Sequence, residues 1–77
     1  MNQTGPQPTP GQVWLSRYTT AAHVAVTEVD GSRARLINVT VSPDGDVAAQ
    51  AGRGRWATVS QLHRAYRITD YVLRSAQ

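Results

Sequence analysis

Few side chains in this sequence are suited to chemistry. The only imidazoles are His23 and His63, and there is no cysteine. Covalent or acid–base catalysis needs a nucleophile, a base and an orienting group converging in a cleft. Ser60, His63 and Asp70 can be written down as such a set, but Ser60 has no Gly-x-Ser-x-Gly elbow around it, and almost any chain contains one Ser, one His and one Asp. Neither histidine stands at metal-ligand spacing from the other or from the carboxylates. Asp44-Gly45-Asp46 matches the start of a calcium loop without its later ligands, so it reads as a turn. The expectation is a protein with no catalytic residues, no metal and no cofactor, one that acts by binding.

The residues that carry that expectation are arginines and a tryptophan. Gly52-Arg53-Gly54-Arg55 sets two guanidinium groups around a flexible glycine, an arrangement able to follow a nucleic-acid backbone or a narrow minor groove. Its Arg-Gly-Arg resembles the core of an AT-hook, with Trp56 where that motif has proline. Trp56 is out of phase with the apolar Ala57 and Val59, which gives it an outward direction, either as a platform for a base or a peptide or packed under the N-terminal arm or the loop of 42–54. Arg33 and Arg35 join this patch if the fold brings them beside Arg53 and Arg55. Trp14 is expected in the core, and His63 on a solvent-facing helical turn.

Composition limits the scaffold that must position these groups. Seventy-seven residues make one domain with a small core, and without cysteine no disulfide or thiolate zinc site can staple it. The first residues have neither a basic nor an apolar region of a leader, no apolar stretch approaches the length that spans a bilayer, and the reading is cytoplasmic. The two Asn-x-Thr triplets at Asn2 and Asn38 are then coincidental. All eight basic residues are arginine; with the abundant Ala and Val, this reflects high-GC codon usage as readily as selection for bidentate donors. A net charge of +3 is compatible with an anionic partner but modest for a dedicated nucleic-acid binder.

The proline-rich segment 1–11 is expected to be a disordered arm, 12–74 a β-barrel and 75–77 a tail. A first strand begins at Gln12-Val13-Trp14-Leu15. Alternating Val24 and Val26, a reversal at Asp30-Gly31, then Ala34 and Leu36 predict a β-hairpin over 23–41. A three-residue Val29-Asp30-Gly31 loop would pair Val26 with Ala34 and Val24 with Leu36, and would set Arg33 and Arg35 on the outer face opposite Thr27 and Ala25. Beyond Leu36 the apolar parity shifts to Ile37, Val39 and Val41, which predicts a bend or bulge near Leu36 or Ile37. After the Pro43-Asp44-Gly45 turn, 46–51 is either a short strand in a second hairpin, the reading preferred, or part of one long loop; 55–60 reads as a strand, 60–64 as one helical turn burying Leu62, and 66–74 as the last strand.

Pro10-Gly11-Gln12-Val13-Trp14, the Val-rich hairpin with Val29-Asp30-Gly31, Arg53-Gly54-Arg55 before a strand, the helical turn with its Leu, and the Tyr71-Val72-Leu73 end resemble SH3-like barrels of the KOW and Tudor kind. More closely they are similar to small barrels of high-GC actinobacteria and their phages. The resemblance implies an all-β, SH3-like barrel of about five strands with a helical turn before the last, and supplies no function. Two partner classes follow from the residues themselves. One is a protein, engaged through Arg and Trp anchors on a phage-encoded module, with self-association as a variant. The alternative is DNA or RNA, with Arg33, Arg35, Arg53 and Arg55 on phosphates and Trp56 on a base. No membrane partner is expected. Modest charge and interspersed acids favour the protein.

Overall fold

The computed structural model of the chain describes residues 7–19, 22–50 and 52–73. They form β1 (Gln12–Ser16), β2 (His23–Asp30), β3 (Arg33–Val41), β4 (Val47–Ala49), β5 (Arg55–Thr58), the helix α1 (Val59–Ala65) and β6 (Tyr66–Val72). The strands make one antiparallel sheet in the order β4-β3-β2-β1-β6, with β5 also paired to β3. The sheet curls into a half-barrel, and among the described residues no ladder joins β5 to β6. The fold is thus a small all-β barrel type with one short helix before the last strand. No helix among the described residues is long and apolar enough to cross a membrane.

The hairpin forms where expected but in another register. Asp30 pairs with Arg33, Val29 with Ala34 and Glu28 with Arg35, so the reversal is a two-residue Gly31-Ser32 loop with Gly31 at φ +63°. Past Thr27 the register shifts, and Val26 pairs with Leu36, Ala25 with Ile37 and Val24 with Asn38. This corrects both the three-residue loop and the pairing of Val26 with Ala34. Glycine takes the positive φ at the first loop position without a Cβ clash, which draws the turn one residue further along the chain than Asp30-Gly31 implies. The extra residue that the register needs sits in β2 at Thr27 as a bulge, whose hydroxyl donates to the Arg35 carbonyl at 3.3 Å.

The parity shift in β3 does not come from the bulge expected in it near Leu36 or Ile37, since the extra residue of this ladder lies in β2. Ala34 and Leu36 enter a cluster with Trp14, Val24, Val26 and Leu62, whereas Val39 enters another with Val13 and Ala25, flanked by Ile37, Val41, Val47 and Leu73. Even and odd positions of β3 therefore face two different cores. Its edge away from β2 pairs with β5 along Arg33–Leu36 and with β4 along Val39–Val41, so one strand serves both halves of the curl. Ala25, expected on the outer face, is fully buried in the second core. Burying a Val or Leu side chain stabilises by about 1.5–3 kcal/mol, so two small clusters stand in for the one large core that this length cannot fill.

The segment 46–51 does carry a strand, β4, after a turn in which Gly45 takes φ +91° and the Asp46 N–H donates to Ser42 Oγ. Of the arm expected over 1–11, residues 1–6 lie outside those described. Pro8 is buried, the Gly11 N–H donates to the Val26 carbonyl at 2.7 Å, and the Leu73 N–H donates to Gly11 O at 2.7 Å. The chain from Pro8 onward is thus held by the sheet rather than free of it.

Candidate functional site

Placement of the binding residues begins with the β3–β5 ladder. Arg35 stands opposite Trp56 and Arg33 opposite Thr58, while Leu36 stands opposite Arg55. Opposite residues share a face, so Arg33, Arg35 and Trp56 lie on the outer side, and Arg55 lies on the side of the first core. The Arg33 guanidinium carbon sits 4.9 Å from the centroid of the Trp56 ring, a cation–π contact. Trp56 is 40% exposed. Arg35 lies against Gly54, where a Cβ would come within 2.9 Å of its Nε, so the glycine makes room for the guanidinium.

The outer face continues onto β2. Arg33 pairs across the ladder with Asp30 and bonds its carboxylate at 3.4 Å; Arg35 pairs across with Glu28. The result is a column of two acids, a column of two arginines, and Trp56 and Thr58 beyond them. Charge across this face is balanced.

Two of the five expected residues fall elsewhere. Arg55 donates to the Tyr66 hydroxyl at 2.7 Å, a bond from β5 to β6 that the sequence did not suggest because it depends on closure of the curl. Arg53 is exposed in the loop before β5, and nothing in the described contacts ties it to the patch. His63 also departs from expectation. It is half-buried, its ring stacked on Trp14 at 5.7 Å between centroids, because the helix turns that face towards β1. Trp14 is buried as expected, at 1% exposure, with its indole N–H among the core side chains.

The helix that closes the curl is short and needs its ends fixed. Thr58 Oγ1 accepts the Gln61 N–H at 3.1 Å, and Gln61 Oε1 accepts the Thr58 N–H at 3.0 Å, a reciprocal capping box. At the other end Arg17 Nε donates to the carbonyls of His63 and Tyr66, each at 3.0 Å. Seven residues would not hold a helix in water, so these caps and the burial of Val59 and Leu62 define it. The capping box also takes the Thr58 N–H that would otherwise extend the free edge of β5, which limits strand addition beside Trp56.

Among the described residues no three His, Cys, Asp or Glu side chains are grouped to hold a metal ion. No protein-family model, curated protein or solved structure matches the chain.

Proposed function

We propose that the chain is a non-catalytic protein-interaction module that engages its partner through the outer face of Arg33, Arg35 and Trp56. The order β6-β1-β2-β3-β5 with α1 before the closing strand supports reading the half-barrel as SH3-like; the actinobacterial and phage kind and a place in the cytoplasm rest on the sequence alone. One observation carries the choice of partner. The two arginines of this face are each matched by a carboxylate across β2, so the face offers alternating charge and one large ring instead of a field of positive charge.

Binding through phosphates scales with the number of cations free to meet them, and on this face carboxylates stand beside the cations. Here Arg55 is engaged with Tyr66 and Arg33 with Asp30. A protein surface of complementary mixed charge fits better, with Trp and Arg as the anchor residues. Arg33 and Gly54 hold Trp56 and Arg35 in place before a partner arrives, which lowers the ordering cost of association.

The test is affinity capture with the full chain as bait, after nuclease digestion and a wash at high salt. A stoichiometric protein partner retained under both treatments is the expected result. Retention only of nuclease-sensitive material would refute the reading.

A further inference from the structure

The Trp56 face is not the only place where an aromatic ring meets arginines. We propose that a depression at the end of β1 binds single-stranded nucleic acid, with a base stacked on Tyr18 and phosphates held by Arg67 and Arg17. The depression measures about 550 Å³ and is lined by Leu15, Ser16, Arg17, Tyr18, Thr19 and Arg67. None of these is acidic, in contrast to the Trp56 face. Leu15 pairs with His23 at the start of β2, whereas Arg33 pairs with Asp30 at the strand's far end, so the two surfaces lie at opposite ends of the hairpin.

Each part is set for a ligand of this chemistry. Tyr18 is 76% exposed, the most open large apolar side chain among the described residues, yet its backbone is fixed because Ser16 Oγ accepts the N–H groups of Tyr18 and Thr19 at 3.1 and 3.3 Å. A flat ring on an ordered turn is a stacking platform that accepts any base. Arg17 is held through Nε by the carbonyls of His63 and Tyr66, which fixes its guanidinium group at the edge of the depression it lines. Arg67 stands opposite Leu15 on the β1–β6 ladder and completes the rim. A ring flanked by two cations matches the repeat of base and phosphate in a single strand. An acidic peptide would use the cations and leave the ring idle.

The experiment is fluorescence polarisation of a labelled twelve-residue oligothymidylate titrated with the whole chain. At 50 mM NaCl the expected dissociation constant is about 1–100 μM, and two phosphate contacts give a slope of about −1.4 in log affinity against log salt, or roughly a sevenfold loss at 200 mM. Tyr18→Ala and Arg67→Glu each weaken binding by about fivefold or more, Tyr18→Phe retains it, and Trp56→Ala and Arg35→Glu leave it unchanged. Thermal melting of each variant checks that it is folded, which the exposure of Tyr18 favours. The proposal is overturned if the oligonucleotide does not bind at 50 mM NaCl, or if Tyr18→Ala and Arg67→Glu bind like the unaltered chain. It is also overturned if the loss follows Trp56→Ala instead, or if a polyglutamate peptide of equal length binds as tightly with the same dependence on Tyr18. Because the two surfaces carry separate variants, failure here leaves the protein-binding reading of the Trp56 face intact.

Discussion

Arg55 reaches from β5 to the hydroxyl of Tyr66 at the start of β6, 2.7 Å away, across a gap in the curl that no ladder closes among the described residues. The half-barrel is thus joined on this side by a side-chain bond and by α1. The bond is exposed, so its worth is limited. Tyr66→Phe and Arg55→Met should each cost about 0.5–1 kcal/mol, and the double variant little more than the larger single change. Urea denaturation of the four proteins measures the coupling, and strict additivity would show that the two groups do not interact.

The hairpin tip gives a sharper test of the register. Gly31 at φ +63° is the first residue of the two-residue loop, a conformation that an L side chain adopts at a cost. Gly31→Ala should therefore destabilise by about 1–2 kcal/mol, and Gly31→Asn by less, since asparagine tolerates this region. A Cβ there meets nothing within 4 Å, so any loss is conformational and not steric. Thermal melting of the two variants reads the difference.

The helix separates burial from capping. Leu62 is fully buried in the first core, so Leu62→Ala should cost about 2–5 kcal/mol. Thr58→Ala removes the capping box and should cost about 1 kcal/mol. Chemical denaturation should rank Leu62→Ala well above Thr58→Ala, and the reverse order would place the helix outside the core.

The strands, the hairpin, the helical turn and the burial of Trp14 and Leu62 are legible in the sequence because each rests on local alternation or spacing. The register is not. Asp30-Gly31 and Gly31-Ser32 are both acceptable reversals, and only the bulge at Thr27 on the facing strand reconciles the chosen one with a buried Val26 and Leu36. Two cores on opposite faces of β3 produce the same change of parity as a bulge within it, so the sequence pattern does not distinguish them. The outward direction of Trp56 follows from phase, and its pairing with Arg35 follows from the ladder. Arg55 shares the sequence neighbourhood of Arg53 and Trp56 but alternates to the other face, where Tyr66 receives it. The placement of Arg17 left no mark in the sequence, because its partners are the carbonyls where α1 ends and β6 begins.

The two tryptophans offer an optical check on the site. Trp14 is enclosed and Trp56 is partly open with Arg33 over its ring. Acrylamide should quench the emission of Trp14→Phe, which reports Trp56, and spare that of Trp56→Phe. Arg33→Ala should raise the quenching of Trp56 further and cost about 0.5–1 kcal/mol of stability. Equal quenching of both tryptophans would contradict the placement of Trp56.

The central claim is that Trp56 on β5 and Arg35 beside it on β3 form the contact with a protein partner. Calorimetric titration of the captured partner with the unaltered chain, Trp56→Ala, Arg35→Glu and Tyr18→Ala tests it most directly. The account predicts losses of about tenfold or more for the first two variants, as for anchor residues at an interface, and unchanged affinity for Tyr18→Ala. Undiminished binding by Trp56→Ala and Arg35→Glu, with all variants folded, would contradict it.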